Sequence, residues 1–599
     1  MPYQPIENYG VIGDLHTVAL VGMDGSIDFL CFPRFDSPTV FAALLGDENG
    51  GRFQIAPTWG EIRQKQLYLP DTNILLTRFL AEEGVAEISD YMPIGNEGPQ
   101  DLVRRVKSVR GDIHFRMVCA PRFDYGRASH RVEKRDREIL FISEGQDGTV
   151  LRLRTEVPVE IVNGDAVATF LLKAGSSIAF VLEDGRSAES PSAAPHYVPR
   201  SFKDTMNFWH QWARRSRYRG RWREMVTRSA LVLKLLTSAQ YGSIVAAPTF
   251  GLPEEIGGSR NWDYRYTWIR DASFTLYGLM RLGYTDEAAA FMKWIEDRCQ
   301  EIGDGGALQL MYGMDGHRNL HEEVLPHLEG YKKSAPVRIG NGAFDQLQLD
   351  IYGELMDSVY LSNKHGRPIS YDFWMNLTRL IEWIAVNWHL PDEGIWEVRG
   401  GRREFLNSRV MSWVAMDRGI RLAGKRSFPA PVERWRSIRD EIYRDVYENF
   451  WDPELKTFVQ YKGAKIVDAS ALLMPLVRFI GSSDPRWLST LRAIEESLVE
   501  DSFVHRYNIG SAAADALPGA EGTFTICTFW YVECLSRAGD VDKARFFFEK
   551  ALGYANHLGL YGEELGPRGE HLGNFPQAFT HLALISAAYD LDRSLEGRA

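Results

Sequence analysis

The segment RNWDYRYTWIRDAS, residues 260–273, alternates aromatic side chains with charged or polar ones. Aromatic rings stack on the C–H faces of sugar rings, and guanidinium and carboxylate groups bond to hydroxyls. The pattern therefore favours binding of a polyhydroxylated ligand, with aromatic faces against its rings and with Arg270 and Asp271 near its hydroxyls. The alternative is the start of a helix, capped by Asp271, beside a buried aromatic cluster.

Glu397 lies between Trp396 and Val398 in the glycine-bounded stretch EGIWEVRGGRR. A carboxyl group beside apolar neighbours loses solvation and can remain a proton donor. The nearby Arg399 and Arg402 would oppose this effect if they contacted the carboxyl group. The alternative is a solvated loop glutamate, which is the commoner situation for a glutamate in a loop.

Glu563 and Glu564 follow a Gly–aromatic–Gly turn in GLYGEELGPRGEHLGNFPQAFTHLAL, residues 559–584. The Pro/Gly stretch after the pair is not expected to be helical, whereas GNFPQAFTH starts a helix. One of the two carboxylates could act as a base on water. An acidic surface turn is the alternative interpretation.

Two further loops have the same mixture of residues. Residues 327–354 present Tyr331, Arg338 and Asn341 ahead of a helix, and residues 521–533 present Phe524 with two more aromatics. These aromatics could equally belong to the core, which we favour for the second loop.

Composition and missing motifs exclude several classes of function. A net charge of -11 argues against a nucleic-acid partner, and no apolar run approaches the length of a membrane span. The five cysteines form no Cys-x-x-Cys pair, and the N-terminus resembles no signal peptide, so we expect a cytoplasmic protein with reduced thiols. No metal-binding or phosphate-binding motif occurs, so no metal and no cofactor is predicted.

The hydrophobic pattern changes along the chain. Short β-branched and aromatic runs separated by Gly, Asp and Asn turns predict an antiparallel β-sandwich over 1–200, followed by a linker helix over 201–221. Residues 222–599 have a period of 3.6, with about twelve helices starting near 222, 271, 286, 343, 371, 406, 430, 468, 484, 522, 540 and 574.

Twelve helices could form a solenoid or close into an (α/α)6 barrel. The loops distinguish the two, because long loops rich in Gly, aromatic and charged residues recur at every second connection. They are 242–270, 303–342, 391–405, 501–521 and 558–573. In a closed barrel these loops would meet at one end, and we expect the functional site there.

Taken together, these stretches resemble glycoside hydrolase family 15, the family of glucoamylases and bacterial trehalases. The resemblance covers nearly the whole chain. The opening YGVIGDLHTVALVGMDGSIDFLCFPRFDSPTVFAALLGD is similar to the N-terminal β domain of bacterial members, and five later motifs are similar to successive barrel motifs: DYRYTWIRDASFTL, SAPVRIGNGAFDQLQLDIYGE, GIWEVR, EGTFTICTFW and GLYGEELGPRGEHLGNFPQAFTHLAL. The resemblance implies a β-sandwich joined to an (α/α)6 barrel.

The resemblance also implies residue roles. Glu397 matches the family's general acid and Glu563 its general base, while Arg270 and Asp271 match residues that bind hydroxyls of the non-reducing glucose. The remaining matches and candidates for substrate binding are Tyr264, Trp268, Trp396, Arg338 and Phe524. Fungal glucoamylases have Glu where this chain has Val398 and Gln where it has Glu564, so contacts beyond the first sugar differ.

The sequence and the resemblance therefore predict an exo-acting, inverting α-glucoside hydrolase of glucoamylase type, which releases β-glucose from the non-reducing ends of α-glucans or oligosaccharides by general acid and general base catalysis. The expected partner is a small carbohydrate substrate. Trehalase activity on the same scaffold is the alternative. An inverting disaccharide phosphorylase and a non-catalytic glycan-binding protein or solenoid scaffold stay open as readings from other classes. The oligomeric state is not determined by the sequence.

Overall fold

The N-terminal part of the chain folds into sixteen strands. The computed structural model describes residues 3–95, 100–186, 191–301, 307–366, 368–508 and 515–597. The strands are β1 Tyr9–Gly13, β2 Val18–Gly22, β3 Ser26–Cys31, β4 Thr39–Phe41, β5 Arg52–Pro57, β6 Arg63–Tyr68, β7 Leu75–Leu80, β8 Val85–Tyr91, β9 Asp101–Arg110, β10 Ile113–Ala120, β11 His130–Arg135, β12 Glu138–Ser143, β13 Val150–Thr155, β14 Glu160–Val162, β15 Asp165–Leu172 and β16 Ser177–Asp184. A short helix, α1 (Ala43–Gly50), follows β4.

These strands form two antiparallel sheets. The first has the order β1-β2-β3-β5-β10-β15-β14, with β4 paired to β3, and the second has the order β11-β12-β13-β16-β9-β8-β7-β6. Alternate residues along β5 and β7 are buried, for example Phe53 and Ile55, which is the period of two expected of strands that bury one face. The predicted antiparallel β-sandwich is confirmed.

The rest of the chain is mainly helical. Helix α2 (Tyr197–Ala213) precedes twelve further helices: α3 Arg223–Leu235, α4 Ile269–Leu282, α5 Thr285–Glu301, α6 Asp350–His365, α7 Tyr371–Asn387, α8 Leu406–Arg426, α9 Val432–Asn449, α10 Leu473–Leu476, α11 Pro485–Leu498, α12 Thr525–Ala538, α13 Val541–Leu552 and α14 Ala578–Leu595. None of the helices described is long and apolar enough to cross a membrane.

The helices close into an (α/α)6 barrel. The inner ring runs α4, α6, α8, α10 with the 3₁₀ turn before it, α12 and α14, and α14 packs back against α4. The other helices lie outside, for example α9 against α8 and α13 against α12. This closure excludes the solenoid alternative, since a solenoid would leave its first and last helices apart.

Thirteen short strands lie in the described parts of the barrel connections. They are β17 Phe250–Pro253, β18 Asn261–Asp263, β19 Thr267–Trp268, β20 Met311–Tyr312, β21 Glu323–Val324, β22 Arg338–Ile339, β23 Trp451–Asp452, β24 Thr457–Phe458, β25 Val499–Glu500, β26 Phe503–Val504, β27 Thr523–Phe524, β28 Glu564–Leu565 and β29 His571–Leu572. They give the long loops fixed backbone positions.

Helix α6 starts at Asp350, later than the predicted position near 343. The backbone N–H of Leu347 donates to Glu393 at 2.9 Å and that of Leu349 donates to Asp392 at 2.8 Å. These bonds to the loop before α8 hold residues 347–349 outside the helix, and periodicity alone does not reveal them.

Helix α2 connects the two parts of the chain. Phe202 and Met206 pack against residues of the second sheet. At the other end of α2, the ring of Trp212 stacks on Tyr284 with centroids 3.9 Å apart, and its indole N–H donates to Glu287 of α5 at 2.7 Å. The helix begins at Tyr197, earlier than the predicted linker start at 201. Residues 187–190, near the end of the predicted β-sandwich, lie outside the described residues.

Candidate active site

A pocket opens at the end of the barrel where the inner helices begin. Its lining includes residues from all five of the long loops that the sequence predicted to meet: Trp262, Asn341, Glu397, Arg506 and Glu563 are one from each. The loops therefore gather at one end of the barrel, as expected.

The segment around residue 264 has two faces. Trp262 and Tyr264 line the pocket, while the intervening Asp263 and the next residue, Arg265, are fully buried on the opposite side. Arg265 pairs with Asp263 at 2.6 Å and donates to the Ser37 carbonyl of the β-sandwich at 2.9 Å. The alternation of types thus arises because an extended backbone sends successive side chains to opposite sides.

Glu397 reaches the pocket from a left-handed backbone position. Its φ of 56° is unusual for a residue with a side chain, and such conformations cluster at functional sites. One carboxylate oxygen accepts from Trp268 Nε1 at 2.7 Å and from Arg270 Nη2 at 3.2 Å. The side chain is 20% exposed, which leaves it accessible to a ligand.

The guanidinium beside Glu397 therefore belongs to Arg270. Arg402 instead binds Glu393 at 2.9 Å, and Arg399 packs against the ring of Trp262. The sequence placed the last two close to the acid but did not show which way they point.

Glu563 lies on another side of the pocket and is 1% exposed. One oxygen accepts from the Tyr264 hydroxyl at 2.6 Å, and the other accepts weakly from the Asn574 backbone N–H at 3.4 Å. Burial raises its pKa to about 8, and the negative charge of Glu254 adds to the increase. The rings of Tyr264 and Trp268 pack edge to face at 5.4 Å, so a chain of contacts through these two aromatics links Glu563 to Glu397.

Arg270 and Asp271 form the floor of the pocket at the start of α4. Arg270 donates to the Ile395 carbonyl at 2.9 Å and to Asp271 at 3.2 Å. Burial raises the pKa of Asp271 to about 6, and the positive charge of Arg270 opposes that increase. Both residues have few exposed atoms, which suits a site that excludes water from a bound ligand.

Trp396 and Phe524 complete the aromatic lining. Their rings contact edge to face at 5.7 Å, and Trp396 Nε1 donates to both oxygens of Asp468 at 3.0 and 3.1 Å. Phe524 therefore belongs to the pocket rather than only to the core, the interpretation that the sequence had favoured for its loop.

Tyr331 does not line the pocket, and neither does Arg338. Its guanidinium lies over the ring of Trp262 at 5.1 Å and donates to the Ser259 carbonyl at 2.8 Å. Arg338 therefore supports the Trp262 ring, and its direct role in substrate binding stays a prediction.

A buried charged cluster beside the pocket was not found from the sequence. Glu254 accepts from Trp262 Nε1 at 3.0 Å and pairs with Arg260 at 3.3 Å and Arg506 at 3.2 Å. The guanidinium of Arg506 in turn pairs with Glu521 and lies 4.8 Å over the ring of Phe524. We name Glu254, Arg260, Arg506, Glu521 and their partners Asp515 and Tyr507 the wall cluster.

Comparison with known proteins identifies the family. The model of glycosyl hydrolases family 15 matches residues 220–589, and the model of a trehalase-like N-terminal domain matches residues 2–200. This chain belongs to glycosyl hydrolases family 15. It is accordingly a glycoside hydrolase.

Other family 15 proteins match along the whole chain. A protein named trehalase from Mycolicibacterium smegmatis is 40% identical, over 99% of this chain and 92% of its own length. Another named trehalase, from Thermoplasma volcanium, is 36% identical over 99% of this chain and 94% of its own length. The structure of a bacterial glucoamylase complexed with acarbose has a TM-score of 0.75 and 12% identity, covering 99% of this chain and 94% of that chain, which shows a shared fold.

One group of carboxylates in this family 15 chain is compact enough to consider as a cation site. Oxygen atoms of Glu254, Glu521 and Glu564 lie within 4.8 Å of one another. Arg260 and Arg506 already form ion pairs within the same cluster, so the described residues supply positive charge without a metal ion.

Proposed function

We propose that this family 15 glycoside hydrolase hydrolyses α,α-trehalose with inversion at one anomeric carbon. The observation that carries the proposal is the pair of carboxylates that line one pocket: Glu397 is accessible and bonded to Trp268, and Glu563 is buried and bonded to Tyr264. The substrate is inferred from the relatives named trehalase, which match over nearly the full chain. They favour trehalose over the glucoamylase-type substrates that the sequence alone ranked first.

Glu397 is the proposed general acid. Its proton goes to the glycosidic oxygen as the bond to the leaving glucose breaks, and Trp268 and Arg270 hold the carboxyl group in place through the bonds that they donate. The charge of Arg270 also stabilises the carboxylate that the transfer leaves behind.

Glu563 is the proposed general base. It takes a proton from water while that water attacks the anomeric carbon from the face opposite the leaving group, and the Tyr264 hydroxyl fixes the carboxylate. Inverting enzymes separate the two carboxyl groups by about 6.5–9.5 Å to leave room for this water. The attacked sugar is released as β-glucose and the leaving sugar as α-glucose.

The other residues that line the pocket would bind the two glucose units of the substrate separately. Arg270 and Asp271 at the floor would bind hydroxyls of the attacked glucose, with Trp268 and Trp396 against its ring. The wall cluster would face the leaving glucose. Because that wall is charged and internally paired, it offers polar contacts to one more sugar and no open apolar track for a longer glucan.

We also propose that the parts of the chain are domains with different roles. The predicted domains are the β-sandwich over 1–200, the linker helix over 201–221 and the catalytic barrel over 222–599. The sandwich would brace the catalytic loop through Arg265, whose guanidinium reaches Ser37, Cys31 and Tyr125.

The decisive experiment measures initial glucose release from trehalose, maltose, isomaltose, maltotetraose and starch, with the anomers followed by proton NMR. We expect the highest kcat/KM on trehalose, with equal initial amounts of α- and β-glucose. Faster release from maltotetraose or starch, as β-glucose only, would identify a glucoamylase instead. Formation of glucose 1-phosphate in a phosphate-supplemented reaction would identify a phosphorylase.

A further inference from the structure

A second cavity, of about 640 Å³, lies on the barrel axis beyond the floor of the catalytic pocket. Phe579 lines both spaces, and Trp530 and Phe274 pack against it with ring centroids 5.7 and 5.4 Å away. These three rings divide the axis into two chambers. The volume falls within the range of about 300–1,000 Å³ that is typical of small-molecule sites.

All six inner helices contribute to this axial cavity. Helix α4 illustrates the arrangement: Asp271 at its start lies in the catalytic pocket, whereas Tyr277 and Arg281 further along line the axial cavity. Ten residues of helix span about 15 Å, so the two sites lie at opposite ends of the same helices.

The axial cavity is basic although the chain is acidic. Among its described lining residues, seven are Lys or Arg and four are Asp or Glu, in a chain of net charge -11. Three of these four acids are already ion-paired: Asp357 with Arg418 at 2.6 Å, and Glu533 and Asp590 with Arg537. Arg418 and Arg421 are also paired with Asp417, each at 2.7 Å. The positive charge that favours an anionic ligand therefore lies mainly with Arg281 and Lys364.

Arg281 is the lining cation that most clearly lacks a hydrogen-bond acceptor among the described residues. Its Nη1 is buried without a hydrogen-bond acceptor in the described part of the chain. The guanidinium lies between the rings of Tyr277, at 3.9 Å, and Tyr589, at 4.9 Å, which hold it in place. A buried donor without an acceptor is costly, so an anion that reached this position would gain a strong bond.

Glu354 is a second buried polar side chain of the axial cavity, and it could bind a different part of the same ligand. It is 2% exposed, and neither carboxyl oxygen has a hydrogen-bond partner among the described residues. Burial raises its pKa well above the usual range, and the nearby charge of Asp350 adds to the increase. A protonated carboxyl group both donates and accepts, which suits a ligand hydroxyl.

We propose that the axial cavity is a second binding site, which takes a small hydroxylated anion such as a sugar phosphate or a sugar acid. The anionic group binds at Arg281, toward the end of α4, and the hydroxylated part extends toward Glu354 between aromatic side chains that include Phe274 and Trp530. A neutral sugar leaves Arg281 without its anion, and inorganic phosphate leaves Glu354 without a hydroxyl.

The test is calorimetric titration of the full chain with four probes: glucose 6-phosphate, gluconate, glucose and inorganic phosphate. At least one of the two hydroxylated anions should bind, and more tightly than inorganic phosphate. The difference between glucose 6-phosphate and gluconate decides between a phosphate and a carboxylate ligand. Titration with glucose also measures binding to the catalytic pocket, and this value is the reference for that pocket.

Two matched variants locate the binding. Arg281→Gln and Arg270→Gln each remove one guanidinium from α4, at opposite ends of the helix. We expect Arg281→Gln to weaken binding of the anion tenfold or more. Arg270→Gln should weaken it much less, because Arg270 lies in the catalytic pocket and acts on Glu354 only through its charge. Lys364→Gln, at an exposed position on the rim, should weaken binding severalfold without risk to folding.

Two results would overturn the proposal. One is the absence of binding by both hydroxylated anions at millimolar concentration, which would mean a cavity filled by water alone. The other is binding lost in Arg270→Gln but retained in Arg281→Gln and Lys364→Gln, which would place the anion in the catalytic pocket. Since binding is measured directly, either outcome is independent of whether the chain hydrolyses trehalose.

Discussion

At the scale of single residues, neighbours in sequence have different environments. Glu563 faces the pocket beside Tyr264, whereas Glu564 accepts from the Gly522 backbone N–H at 2.7 Å and lies 3.7 Å from Arg506. The two carboxyl groups are both buried, so accessibility does not distinguish them. The two glutamates differ only in the residues that they contact.

Replacing each glutamate by glutamine separates their roles. Glu563→Gln should lower kcat by about 10²–10⁴-fold, because an amide cannot take the proton from water. Glu564→Gln is the matched control and should stay within about tenfold of the original rate. Steady-state kinetics and circular dichroism of both variants provide the check, and equal losses in the two would refute the assignment of the base.

The pH dependence of the reaction should reveal the influence of Glu254 on Glu563. Burial and the Glu254 charge both raise the pKa of Glu563, and the base works only when ionised. Activity should therefore fall as the pH drops through this raised pKa, at a higher pH than for an ordinary glutamate. Glu254→Gln removes the neighbouring negative charge, lowers the pKa of Glu563 and should move the acidic limb of kcat/KM to lower pH.

The control for this shift is Glu255→Gln. Glu255 accepts from the backbone N–H of Ala520 at 2.9 Å, outside the set of residues that line the pocket. The Glu255→Gln variant should leave the acidic limb of kcat/KM at its original pH. An unchanged limb in Glu254→Gln would show that another group controls the ionisation.

At the scale of elements, short strands and turns hold the candidate catalytic side chains. Strand β27 pairs with β28 so that Phe524 lies opposite Glu564, and Glu563 directly precedes that pairing. Strand β18 pairs with β17, which places Trp262 near Glu254. Sites held by paired backbone are positioned more accurately than sites on unsupported loops.

Arg265 tests whether the β-sandwich braces this arrangement. Arg265→Met leaves Asp263 buried without its cation and should lower the free energy of unfolding by about 3–5 kcal/mol, with a fall in kcat. Arg127→Met breaks a partly exposed pair with Glu323 and should cost less than about 1 kcal/mol. Urea unfolding and kinetics measure both, and comparable effects in the two variants would argue against bracing.

At the scale of the whole molecule, the β-sandwich and the barrel share a core. One continuous hydrophobic cluster contains Phe29 and Phe53 of the sandwich together with Phe250 and Leu279 of the barrel. The rings of Phe29 and Phe250 contact at 5.6 Å. The barrel also leaves two chambers on one axis, which permits a catalytic site and a second binding site in one fold.

The sequence alone was sufficient for the local features. Alternation with a period of two predicted the strands, and a period of 3.6 predicted helix starts that mostly lie within about three residues of those observed. The long loops and the family motifs contain most of the residues that line the candidate pocket. These features depend on neighbouring residues, so the sequence records them directly.

Only the tertiary structure decided which distant side chains meet. Glu254 and Arg506 are 252 positions apart, Arg338 supports Trp262 instead of lining the pocket, and the basic axial cavity exists only after the six inner helices close. Periodicity records which face of an element is buried, but not which residues of another element that face will contact. Those partners arise when the barrel closes and carries its loops together.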